Sequence, residues 1–182
     1  MRHHRRPGTK PFLGGACAAG AIGLAMLLAS APANSARSGT LAIPVAIADF
    51  DYADTSGEPR DRTAEHKALL DSFTRAIRVD LAKSGKYRIV DLDCRRADCS
   101  PGRSDPDELV ADARRAGARL LLFGGIHKVS TLIQQARVEG VDVETDKLIY
   151  DRALSFRGDD DDSWRHAEAF LVKDLEGQEL VK

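Results

Sequence analysis

The sequence predicts a three-layer α/β/α fold on a five-stranded mixed sheet, with strand order 2-1-3-4-5 and the fourth strand antiparallel. Three observations carry that expectation. Leu41–Ala48 alternates Leu41, Ile43, Val45 and Ile47 with Ala42, Pro44, Ala46 and Ala48, so both faces of one strand are apolar. A strand of that kind is covered on both faces. Two amphipathic segments then alternate with two further apolar runs, the pattern of parallel strands joined by helices. Finally, Leu132–Val143 and Lys147–Phe156 flank Glu144-Thr145-Asp146, which reads as a hairpin of antiparallel neighbours.

Taken in order, the chain opens with Arg2, Arg5, Arg6 and Lys10, continues with apolar Phe12–Ala29, and reaches Ala31-Pro32-Ala33. A charged start, an apolar middle and a small-residue A-x-A site read as a secretory signal peptide over 1–33, leaving one α/β domain over 34–182. The rival reading is an uncleaved membrane anchor, since the apolar run approaches spanning length. Cleavage removes four of the 27 basic residues and none of the 28 acidic ones, so 23 face 28 and the mature net charge is −5. A chain of that balance is a poor match for phosphate backbones, which argues against nucleic acid as a partner. Cleavage also leaves no stable membrane span and removes Cys17 from the three cysteines. The remaining pair, Cys94 and Cys99, reads as a local disulfide in an oxidising compartment.

After the first strand, Asp51–Asp61 is rich in Asp, Ser, Gly and Pro and reads as a loop. Asp61 or Thr63 caps a helix running to Lys83, with Leu69, Leu70, Phe73, Ile77 and Leu81 inward and Gly85 as its stop. Tyr87–Leu92 is the second strand. Asp105, Pro106 and Glu108 start a second helix to Ala116, which turns Leu109, Val110, Ala113 and Ala116 inward. Leu120–Val129 is the third strand, and its Gly124-Gly125 pair suggests a bulge or a close backbone approach. A last helix carries Trp164, Ala167, Phe170, Leu171 and Leu175 behind the acidic run Asp159–Asp162.

Right-handed crossovers then put the two inner helices on opposite faces and bring the carboxyl ends of strands one, two, three and five to a common edge. That edge gathers Asp49, Asp51, Asp54, Thr55, Ser56 and Glu58, then Asp91 and Asp93, then Lys128 and Ser130, then Arg157 and Asp159–Asp162. It is an acidic rim with a few cations, suited to binding an envelope protein or a small polar ligand. Divalent cations are the alternative ligand, yet Asp49–Asp54 and Asp142–Lys147 both break the EF-hand pattern, and no metal site is assigned. A small hydrolase is a further alternative, with Ser56 or Ser163 as nucleophile and His66, His127 or His166 as base. No G-x-S-x-G elbow supports it, and no catalytic residue is assigned. Nothing in the sequence calls for a cofactor.

The segments VAIADFDYADTSGEP, SGKYRIVD, GGIHKVSTLI and FRGDDDDSWRH resemble an exported bacterial family known as domain of unknown function 2380. The resemblance spans essentially the whole mature chain, and the last two segments are its most specific parts. It implies no activity, but draws attention to Lys128, Ser130, Arg157, Gly158, Asp162, Ser163 and Trp164. The strand order is also similar to the amino-terminal domain of TolB and related envelope proteins. The open sheet with a polar carboxyl edge, the lack of a recognisable catalytic set and the export signal fit a periplasmic or secreted envelope interaction module.

Overall fold

The computed structural model describes residues 41–94 and 99–181; the expected signal peptide lies outside them. The elements run β1 (Ile43–Ile47), β2 (Asp51–Asp54), α1 (Thr63–Lys83), β3 (Tyr87–Val90), α2 (Pro106–Arg115), β4 (Leu120–Lys128), β5 (Ile133–Asp142), β6 (Lys147–Arg157) and α3 (Asp161–Gly177). The sheet order is β3-β1-β4-β5-β6, with β1 parallel to both β3 and β4, and β5 antiparallel to its neighbours. That is the predicted order and the predicted three layers. Val45 and Ile47 face α1 and α3, whereas Ala46 and Ala48 face α2. The large–small alternation therefore decides which face takes two helices and which takes one.

The sequence reading needs correction at Asp51–Asp61. Its first four residues are β2, a strand that continues β1 along the same edge of β4. Ile47 lies opposite Leu122 and Asp51 opposite Gly125, so four steps on one strand match three on the other. One extra residue reverses the facing of everything after it. Phe50 and Tyr52 consequently join the face that Val45 and Ile47 occupy. The period-two pattern breaks there, which is why the strand looks like a loop in sequence.

Other elements follow their local signals. Asp105 accepts from Asp107 N (2.8 Å) with Pro106 in the first helical turn, and Gly85 ends α1 at φ +71°. Asp61 accepts from Thr63 N at 2.9 Å, one residue ahead of the cap position of α1. Asp160 and Ser163 form a reciprocal capping box on α3. Leu41 and Phe170, expected to face inward, are 89% and 52% exposed. β1 starts only at Ile43, and the inward stripe of α3 runs through Trp164, Ala167, Leu171 and Leu175. Cys94 and Cys99 are disulfide-bonded, with Cα atoms 5.6 Å apart. Among the described residues no helix is long and apolar enough to cross a membrane.

Glu168 breaks the apolar stripe of α3. It is 3% exposed, and its Oε1 has no hydrogen-bond partner. Burial, then the nearby Asp80 charge, push its pKa up to about 7 against the pull of Lys83. The folded chain therefore holds a proton that the unfolded chain releases from about 4.5 upward, the ordinary value. Stability falls as pH rises from 4.5 toward 7 and is flat beyond, because the unfolded state binds fewer protons in that window. Glu168→Gln should stabilise the protein by about 2 kcal/mol more at pH 8 than at pH 4, by urea denaturation at the two values. An equal effect at both would contradict the assignment.

Candidate functional site

The site is built at the carboxyl end of β2 and β4. In β4, Leu120, Leu122 and Ile126 point to the α1/α3 face, and Lys128 falls at the next position of that same alternation. Its side chain is 0% exposed. A buried ammonium is costly unless opposite charge meets it. Lys128 Nζ donates to Asp159 Oδ2 at 2.7 Å and to Glu58 Oε2. Burial opposes its charge, but the bonds from Asp159 and Glu58 outweigh that and hold its pKa above the usual lysine value.

Asp159 is the hub. Besides Lys128, His66 Nε2 lies 2.9 Å and 3.0 Å from its two carboxylate oxygens, and Arg62 donates to Oδ2 and, at 3.0 Å, to the Asp159 carbonyl. Its side chain is 6% exposed. Burial pushes its pKa up, but the bonds from Lys128 and His66 win and hold it below the usual carboxylate range. Arg62 also reaches Glu65 at 2.6 Å, and Glu65 meets Arg60 at 2.8 Å. The ring of Tyr52 stacks on His66 with centroids 4.8 Å apart and adjoins Trp164 at 6.1 Å. One carboxylate thus ties the end of β6 to the start of α1, the end of β4 and, through Lys128, the loop after β2.

The predicted rim is partly assembled. Glu58 and Lys128 are in the cluster. Thr55 N donates to the Lys128 carbonyl at 2.9 Å, and Thr55 Oγ1 lies 2.7 Å from His127 Nε2. Asp54 accepts from Ser56 N at 2.8 Å, and Ser56 Oγ accepts from Glu58 N at 3.2 Å, so both shape the loop. Asp51 is on the other face of the sheet, where it accepts from Gly102 N at 2.7 Å. It stands three residues from Asp54 along β2, and the period-two alternation puts the two on opposite faces. Ser130 accepts from Ile133 N at 3.1 Å inside the β4–β5 turn. Arg157 is exposed, and exposed Asp162 meets Arg165 at 3.1 Å and His166 at 3.6 Å on its own helix. Trp164, 2% exposed, packs against Phe73 and Phe156 and presents no surface to a ligand. Asp91 and Asp93 follow a strand that ends level with Leu121. Lys128 lies seven residues farther along β4, about 23 Å away at strand rise.

Two residues matter that the sequence reading placed differently. In sequence Asp159 is one of four adjacent carboxylates at the rim and ahead of the last helix, and no local pattern singles out Arg62. The available signal was Lys128 itself, since a lysine in register with an apolar alternation requires a buried carboxylate. His66, considered as a base, is engaged by Asp159, while Ser56 and Ser163 serve a turn and a cap. Among the described residues no group of three or more His, Cys, Asp or Glu side chains is arranged to hold a metal ion.

Beside the cluster a cleft of about 1110 Å³ opens between α1 and the β1–β2 edge. Its walls carry both signs, with Asp54, Glu58 and Asp71 facing Arg62, Arg75 and Arg78. Arg78 donates to the Ile47 carbonyl at 2.5 Å and approaches Asp49 at 3.7 Å. Arg75, exposed on α1, has no ion-pair partner among the described residues. The cleft has a firm base, because the extra residue between β1 and β2 buries Phe50 against Phe73 directly beneath it.

No curated protein matches the chain. Similar solved structures include the C-terminal domain of LpoB from Salmonella enterica, at 17% identity and TM-score 0.45, covering 65% of this chain and 85% of that one. TolB from Acinetobacter baumannii is 16% identical with TM-score 0.44, covering 74% of this chain but only 27% of TolB. A PelC dodecamer from Paraburkholderia phytofirmans is 15% identical with TM-score 0.46, covering 74% of this chain and 86% of that one. The sequence itself assigns the family. Residues 44–175, from the second residue of β1 to the last buried turn of α3, match the model described as protein of unknown function (DUF2380), and the chain belongs to that family.

Proposed function

We propose that this protein is an exported, non-catalytic binding module of the cell envelope, and that the cleft beside the Lys128–Asp159 cluster takes a protein segment or small polar ligand. The carrying observation is the contrast between two sets of charges. Those in the cluster are buried and satisfied by one another, so they fix the loop after β2. The cleft charges outside the cluster, Asp54, Asp71 and Arg75, are exposed, and Arg75 has no ion-pair partner among the described residues. Fixed walls reduce the ordering cost of binding, and mixed charge gives register and partner choice more than raw affinity. The charged, apolar and small-residue order of 1–33 supports export.

The test is site-specific photocrosslinking in cells producing the full chain. A photoreactive residue at Arg75 or Asp71 should give a discrete adduct, and one at Glu108 on α2 should not. Adducts of equal yield from all three positions, or none from the cleft, would remove the reading.

A further inference from the structure

We propose that β6 is a docking edge for a second copy of this chain, joining two sheets antiparallel about a twofold axis at Leu154. β6 is the outer strand of the sheet and runs for eleven residues. Gly158 N donates to the Leu132 carbonyl at 2.9 Å, in line with the Arg157–Ile133 register. In an antiparallel ladder, hydrogen-bonded and non-bonded pairs alternate. The even-numbered residues of β6 therefore turn their peptide groups toward β5. Asp151, Ala153, Ser155 and Arg157 turn theirs outward, and all four are exposed. No backbone or side-chain partner meets those outward groups among the described residues. An open ladder of this length is a template for another strand.

The side chains select the occupant. With the axis at Leu154, Asp151 lies opposite Arg157 of the second copy, and Ala153 opposite its Ser155. Every outward residue then meets an outward residue, and two opposite-charge pairs form across the junction. Moving the axis by one residue sets Asp151 opposite Ser155 in one direction and opposite Asp159 in the other. Arg157 has no ion-pair partner within its own chain among the described residues, so it is available. Asp151 is held at 2.8 Å by Arg137 on the same face, which fixes its direction.

Phe170 supplies the second observation. It is 52% exposed and sits one helical turn from Asp174, whose carboxylate accepts from Tyr150 Oη and Arg152 Nε, both at 2.9 Å. That bond pair fixes this face of α3 over β6. Phe170, four residues before Asp174, shares that face of α3, and the second copy's α3 would cover its exposed ring.

Crosslinking in the full exported chain tests both occupant and register. Leu154→Cys places two thiols at a non-hydrogen-bonded pair on the axis, where strand Cα atoms are about 4.5 Å apart. Phe156→Cys faces Arg152 of the other copy, so its thiols stay apart. Mild oxidation should give a covalent dimer of Leu154→Cys at least about tenfold faster than of Phe156→Cys. In sedimentation, Ala153→Pro should raise the dimer dissociation constant at least about tenfold, since proline removes an outward N–H that β5 does not use. A chain that stays monomeric at about 100 μM, near the range of weak specific association, would overturn the proposal. So would equal crosslinking of the two cysteine variants, and that comparison stands even if Ala153→Pro fails to fold.

Discussion

Replacing Asp159 with alanine should destabilise the protein by about 3–5 kcal/mol, the cost of leaving a buried opposite charge without its partner. Domains of this kind have a total stability of about 5–15 kcal/mol, so much of the margin would go. The loss is large because the carboxylate serves Lys128, His66 and Arg62 together. After its removal Lys128, at 0% exposure, keeps only Glu58, which is partly exposed. Lys128→Met should cost less, since Asp159 then retains His66 and Arg62 and an apolar chain of similar length fills the space. The pH dependence follows from the lowered pKa of Asp159. A depressed carboxylate contributes stability above its unfolded value, 3.8, and loses that contribution as pH falls toward the lower folded value. The gap between wild type and Asp159→Ala should therefore be full near neutrality and narrow below pH 3.8. A loss within about 1 kcal/mol in urea denaturation, the size seen for exposed ion pairs, would show that the cluster is no tighter than surface charge.

Gly124→Ala should cost about 3 kcal/mol or more, whereas Gly125→Ala should cost about 1 kcal/mol, although the two residues are adjacent. A Cβ on Gly124 would stand 2.2 Å from the Arg137 carbonyl oxygen and 3.1 Å from the Phe50 ring. The nearest obstacle is backbone of β5 and cannot swing aside, so the β4–β5 ladder must part. A Cβ on Gly125 meets the Asp51 carbonyl oxygen at 3.0 Å, a contact that a few tenths of an ångström relieve. Thermal unfolding of the two variants should therefore separate clearly. Equal shifts, or the reverse order, would mean that the β4–β5 spacing is softer than described.

Those two glycines show what a sequence can reveal. A Gly-Gly pair inside an apolar strand announces a close approach, and the structure finds one at Gly124. The alternation at Leu41–Ala48 likewise announces a strand covered on both sides, and β1 lies between β3 and β4. Where patterns are local and periodic, the fold is legible. It ceases to be legible at Ala48–Phe50, where one extra residue changes which parity faces the helices and hides β2. Within β2 the ordinary alternation divides the acidic rim, since Asp51 and Asp54 stand three residues apart and face opposite ways. The site was legible in its members more than in its connections. Lys128 and Glu58 stand out by position and charge, but nothing local couples them to Asp159, which is 31 residues beyond Lys128. Four carboxylates run together at Asp159–Asp162, and only the turn at Gly158, φ +116°, aims the first one inward. The others cap α3 or face solvent.

Hydrogen–deuterium exchange on Asp159→Asn is the most direct measurement of whether one buried carboxylate holds the cleft wall in place. Exchange should quicken over residues 55–62 and at the start of α3, with Leu109–Ala113 in α2 unchanged. Unaltered protection after β2, or a loss spread evenly through α2, would contradict it.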